Sequence, residues 1–87
     1  MKRYDMQVNV PHSAYGACDY FMPNIMREWV HGLDLDYLYA GNSSSGDGFT
    51  NGVSNKMSHY MVNDIQRGDS IAFQIQFPHA KVHLLEQ

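Results

Sequence analysis

Residues 4–10 alternate, with Tyr4, Met6, Val8 and Val10 on one side and Asp5, Gln7 and Asn9 on the other. A period of two predicts a half-buried strand, which Pro11 ends. From Ser13 the period lengthens. Ala14, Cys18, Phe21, Ile25, Trp29 and Leu33 recur three or four residues apart, the stripe of an amphipathic helix. Ser13 is suited to cap its start and Gly32 to stop it. Pro23 falls inside the stripe, where it removes a backbone bond and clashes with the preceding turn. Two readings follow: one helix kinked at Pro23, or a short helix followed by a second with Pro23 in its first turn. The unbroken stripe favours the kinked helix.

Further on, Leu33, Leu35, Tyr37 and Tyr39 share a face opposite Asp34, Asp36, Leu38 and Ala40, which predicts a strand over 33–40. Residues 41–52, GNSSSGDGFTNG, read as a flexible loop or loose hairpin. Met57, Tyr60, Met61 and Ile65 are spaced for a second helix over 54–65, capped by Ser54. Ile71, Phe73, Ile75 and Phe77 alternate with Ser70, Ala72, Gln74 and Gln76, the most regular strand pattern in the chain. After Pro78, Ala80, Val82 and Leu84 alternate with His79, Lys81, His83 and Leu85, which suggests a last strand at a sheet edge.

The expected fold class is α+β. A mostly antiparallel sheet of three to five strands, with two helices on one face, buries every stripe in a β-α-β-(β)-α-β-β order. If the 48–53 segment contributes a strand, the order becomes the split βαββαβ type. The length of 87 residues fits one domain spanning 1–87. A domain this small buries only about 60–65% of the surface of its unfolded chain, so any site lies on the surface or in a shallow cleft.

Composition narrows the chemistry. One cysteine makes neither an internal disulfide nor a cysteine-rich zinc site, and Cys18 on the helix stripe reads as a small buried hydrophobe. The net charge is −3. Lys2, Arg3 and Arg27 face Asp5, Asp19, Glu28, Asp34, Asp36 and Asp47 in residues 1–50, which carry the whole excess. The chain has no basic stripe, which disfavours direct nucleic-acid binding. No run of 18 apolar residues occurs, so no membrane span is expected. Lys2 and Arg3 lead into an alternating rather than an apolar run, and a cytoplasmic location is the expectation.

The candidate catalytic and ligand motifs fail at residues their chemistry requires. His79 and His83 share a helix face only if they lie on a helix; on a strand they stand about 13 Å apart, too far for one ion. His12, His31 and His59 could join them only through tertiary contact. Asp34 and Asp36 carry nothing around them that suggests desolvation. Asp47-x-x-x-Asn51-Gly52 opens like a calcium loop, but Phe49 and Ser58 stand where ligands belong. No catalytic residue, metal ligand or cofactor is assigned.

The aromatics and methionines say more as a set. Eleven aromatics and six methionines exceed what a small core hides, and only three lysines accompany them. Tyr, Trp and Met are enriched and Lys depleted where proteins bind proteins. The expected function is therefore a protein-binding module acting by contact. Its narrower form is an inhibitor of a host protein complex of the phage or mobile-element type, as anti-CRISPR proteins are. The expected contact residues are Tyr20, Met22, Met26, Trp29, Tyr37, Tyr39, Asp47 and Phe49. The alternative is a small histidine-based metal-binding protein or enzyme. The C-terminal edge strand adds a possible homodimer.

Overall fold

A computed structural model of the chain describes residues 2–44 and 49–87, and only the backbone of Phe49 and Thr50. The elements are β1 (Tyr4–Pro11), α1 (His12–Tyr15), α2 (Asn24–Gly32), β2 (Tyr37–Ser43), β3 (Phe49–Thr50), β4 (Val53–Ser54), β5 (Met57–Ile65), α3 (Arg67–Gln76) and β6 (Lys81–Glu86). The main sheet has the order β2-β5-β1-β6 with every neighbouring pair antiparallel. β1 and β2 therefore run parallel with β5 between them, and β5 and β6 run parallel with β1 between them. Each such pair is joined by a helical crossover, which makes two interleaved split β-α-β units. The α+β class and the mostly antiparallel sheet expected from the sequence are present. The split βαββαβ order is present too, but through strand 57–65 and helix 67–76 rather than through the 48–53 segment, which forms no part of the main sheet. β3 and β4 form a separate hairpin between β2 and β5, turned by Asn51 and Gly52 at positive φ. Asn-Gly in a two-residue connection suits the strand twist.

The core lies between one sheet face and the two longer helices. Met6, Val8 and Val10 of β1 and Tyr60, Val62 and Ile65 of β5 meet Met26 and Val30 of α2 and Phe73 of α3, all buried. The Trp29 ring packs edge-on against Phe73 at 5.2 Å.

The strand expected over 33–40 is shifted: β2 begins only at Tyr37 and runs on to Ser43, because Leu33, Asp34 and Leu35 close the end of α2. Three other segments depart from the periodicity. The 13–33 helix is not kinked but divided. α1 is one turn, stopped by Gly16 at φ 84, and α2 starts after Pro23, whose carbonyl accepts from the Met26 and Arg27 amides. The second of the two readings is correct, because proline suits a helix start and not an interior. α2 ends beyond Gly32. Asp34 sits at φ 62, its amide bonds the His31 carbonyl, and the Leu35 amide bonds the Val30 carbonyl. This is a Schellman closure with aspartate in the left-handed position.

The 54–65 helix is in fact strand β5. Its inward positions are Ser58, Tyr60 and Val62, and the buried serine breaks the apolar alternation that marks a strand. Tyr4 pairs with Ile65 but Met6 with Val62, so β5 carries one extra residue there, with Asp64 at φ 63. That bulge turns Ile65 back into the core.

The 70–77 strand is helix α3. Periods of two and of about four both pass through Phe73 and Phe77. With β5 beside β1, the chain must cross that strand to reach β6, and a helix does so with its backbone bonds satisfied internally. Ser70, Phe73 and Phe77 are buried, while Ile71 and Ile75, which the alternation turned inward, are exposed.

Candidate functional site

The segment joining α1 to α2 has no regular backbone pairing, and side chains from β2 and β5 supply its bonds. Ser58 Oγ donates to the Cys18 carbonyl at 2.6 Å. The Tyr60 hydroxyl is shared between the carbonyls of Asp19 and Phe21. Tyr37 Oη accepts from the Met22 amide at 3.3 Å. Tyr39 Oη donates to Asp19 Oδ1 at 2.6 Å and accepts from Asn42 Nδ2 at 2.8 Å. Burial pushes the Tyr60 phenol well above its ordinary range, and contact with Cys18 adds to this. The Asp19 carboxylate raises Tyr39 in the same direction by accepting its proton in a hydrogen bond. Three tyrosines thus hold the segment against the sheet.

The clasp fixes Tyr20 and Phe21 outward. With Tyr37, Leu38 and Tyr39 of β2, Arg27 and His31 of α2, and Asp36, they line a cleft of about 540 Å³. Tyr20 is 68% exposed, Phe21 62% and Leu38 61%. The rings support one another, with Tyr20 edge-on to Phe21 at 5.2 Å and tilted on Tyr39 at 5.9 Å. His31 stacks on Tyr37 at 6.2 Å. The Arg27 guanidinium lies over the Phe21 ring at 5.7 Å and bonds Asn24. Asp36 accepts from the Tyr37 amide and lies 3.6 Å from His31 Nε2.

Of the expected contact residues, Tyr20, Tyr37 and Tyr39 belong to this cleft. Met22 and Met26 do not: both are buried in the core, Met26 on the face of α2 turned to the sheet and Met22 in the segment just before that helix. Trp29 is half-buried against Phe73 and lines a separate groove between α2 and the end of α3. Asp47 lies outside the described residues, as does the side chain of Phe49. The sequence reading missed Phe21, Arg27, His31 and Leu38. Phe21 falls in phase with the helical stripe, and Pro23, which starts a new helix, is the signal in the sequence that the stripe stops before it.

The polar pairs elsewhere are structural. His12 Nε2 lies 2.9 Å from Ser58 Oγ, the spacing of a base and a nucleophile. Ser58 is fully buried and its proton goes to the Cys18 carbonyl, so Nε2 is the donor to Ser58. His59 Nδ1 donates to Asn9 Oδ1 at 2.6 Å, and its Nε2 lies 2.9 Å from Ser43 Oγ. The ring ties β1, β5 and β2 together on the open sheet face. His79 lies in the turn before β6, its ring against Tyr15, and His83 lies on β6. Among the described residues, no group of three histidine, cysteine or acidic side chains is placed to hold a metal ion. Cys18 is half-buried in the clasped segment rather than on a helix. No helix of the described residues is long and apolar enough to cross a membrane.

The fold and the cleft define a small α+β domain with an exposed aromatic surface. No protein-family model matches the chain, no curated protein matches its sequence, and no solved structure matches its fold.

Proposed function

We propose that the protein is a protein-binding module acting by surface contact, and that the aromatic cleft is its contact surface. The observation that carries this reading is the set Tyr20, Phe21 and Leu38, exposed together and held in place from behind by the tyrosine clasp. Aromatics fixed before association lose little freedom on binding. Tyrosine and arginine are also enriched among the residues that dominate interface energies. The charges give the partner's chemistry. Asp36 is already engaged by the Tyr37 amide and His31, whereas Arg27 bonds only the neutral Asn24 among the described residues. The partner segment that fits presents an apolar side chain to the rings and a carboxylate to Arg27. In the narrower form of the proposal, that partner is a subunit of a host complex which the protein inhibits, in the manner of a phage or anti-CRISPR protein.

The test is affinity capture with the wild type beside Phe21→Ala and Arg27→Glu, each first checked for an unchanged circular dichroism spectrum. The expected result is a partner retained by the wild type and lost by both variants. A partner retained equally by all three assigns contact to another surface and refutes the cleft.

A further inference from the structure

We infer that a second copy of this chain docks on the outer edge of β6, continuing the sheet, with α3 packing against α3 of the partner. β6 pairs only with β1 among the described strands. The phase of that ladder is fixed by the bond from the Gln87 amide to the Arg3 carbonyl at 3.3 Å. Bonded pairs alternate along an antiparallel ladder. In the observed register, Lys81, His83 and Leu85 therefore turn their backbone groups to β1. The bond from the His12 amide to the Lys56 carbonyl agrees, since it gives the even residues of β1 to β5. Val82, Leu84 and Glu86 thus turn their amides and carbonyls outward, a ready template for another strand. The opposite edge differs. β2 changes register between Tyr39 and Asn42, with Gly41 at φ 97, a bulge of the kind that blunts edge pairing.

A second observation lies on the same side. Ile71 is 50% and Ile75 is 75% exposed on α3. Gln74 reaches toward β6, donating to the Ala80 carbonyl at 2.6 Å, while Phe73 meets Trp29 of α2. At 100° per residue, Ile71 and Ile75 lie about 60° and 100° beyond Gln74, turning away from Phe73. The exposed isoleucines therefore flank the open strand.

A second copy suits both features at once. Antiparallel pairing of two β6 strands about a two-fold axis normal to the sheet keeps both α3 helices on one face. Centred on Leu84, the pairing sets Val82 opposite Glu86 of the partner, so that every outward group of the three residues finds a mate. Leu84 then meets its own copy beneath the isoleucines. A foreign extended peptide would satisfy the strand and leave the isoleucines bare.

Sedimentation and concentration-dependent amide exchange of the full chain test this. The expected mass is twice 10.0 kDa, with the amides of Val82, Leu84 and Glu86 slowing as concentration rises. Glu86→Pro removes an outward donor without breaking a bond to β1, and Ile75→Glu charges the helix contact. Each should weaken the dimer about tenfold or more with an unchanged thermal melt of the monomer. A monomer at all concentrations overturns the proposal, and so does a dimer that keeps its affinity in both variants or leaves those amides unprotected.

Discussion

Tyr60 shows what one side chain can settle. Its ring fills the core and its hydroxyl serves two carbonyls of a segment with no strand or helix partner. Tyr60→Phe leaves those carbonyls short of a donor, which costs about 1–3 kcal/mol for a buried polar group, measurable by urea unfolding. The same residue sets an alkaline limit. Its phenol titrates higher in the folded chain than the ordinary value of 10.0. Above that value the unfolded chain releases the proton and the folded chain keeps it, so stability falls as pH rises. Unfolding free energy followed above pH 10 should decline, and less steeply in Tyr60→Phe. Asp34 offers the opposite case. Its left-handed φ of 62 closes α2 without help from glycine, so Asp34→Gly should stabilise the protein by about 0.5–1 kcal/mol. An unchanged or lower denaturant midpoint would contradict that assignment.

At the scale of elements, the two misread segments share a cause. Residues 57–65 and 67–76 each carry apolar groups that satisfy more than one period. In β5 the ambiguity comes from Ser58, a polar residue at an inward strand position that is acceptable only because His12 and the Cys18 carbonyl bond it. In α3 it comes from Phe73 and Phe77, four apart and so in phase for strand and helix alike. Substitution separates the two readings. Phe73→Ala should cost about 3–5 kcal/mol as the α2–α3 contact loses its central ring. Ile71→Ser in the isolated domain should stay within about 0.5 kcal/mol, as an exposed helix position does. Equal losses at both sites in chemical denaturation would be the mark of a strand facing the core.

For the whole molecule, geometry separates the two proposed surfaces. The cleft lies at the β2 edge and the pairing strand at the β6 edge, so a dimer presents its two clefts at the far ends of one continuous sheet. Such a dimer binds a partner immobilised at high density more tightly than a monomeric Glu86→Pro variant does, through effective concentration alone. Surface plasmon resonance at low and high partner density should show the gap opening only at high density. Contact through Arg27, a charge that reaches solvent at the cleft, should weaken as salt rises, while the ring contacts persist.

The class of the fold, the first and last strands and the surplus of aromatic side chains were legible in the order of residues alone. Local alternation and composition carry that information without reference to the rest of the chain. The sequence also held the split at Pro23 as one of two readings, because proline's effect on a helix is local. Long-range packing settled which of 57–65 and 67–76 became strand and which helix. Burial of Ser58 and the need to cross β1 are set by neighbours remote in the chain. The same holds for the aromatics. Periodicity gave no means of telling a tyrosine that holds a loop from one that waits at the surface. Tyr37, Tyr39 and Tyr60 took the first role when the segment before Pro23 came to lie across them, and Tyr20 and Phe21 were thereby left to the second.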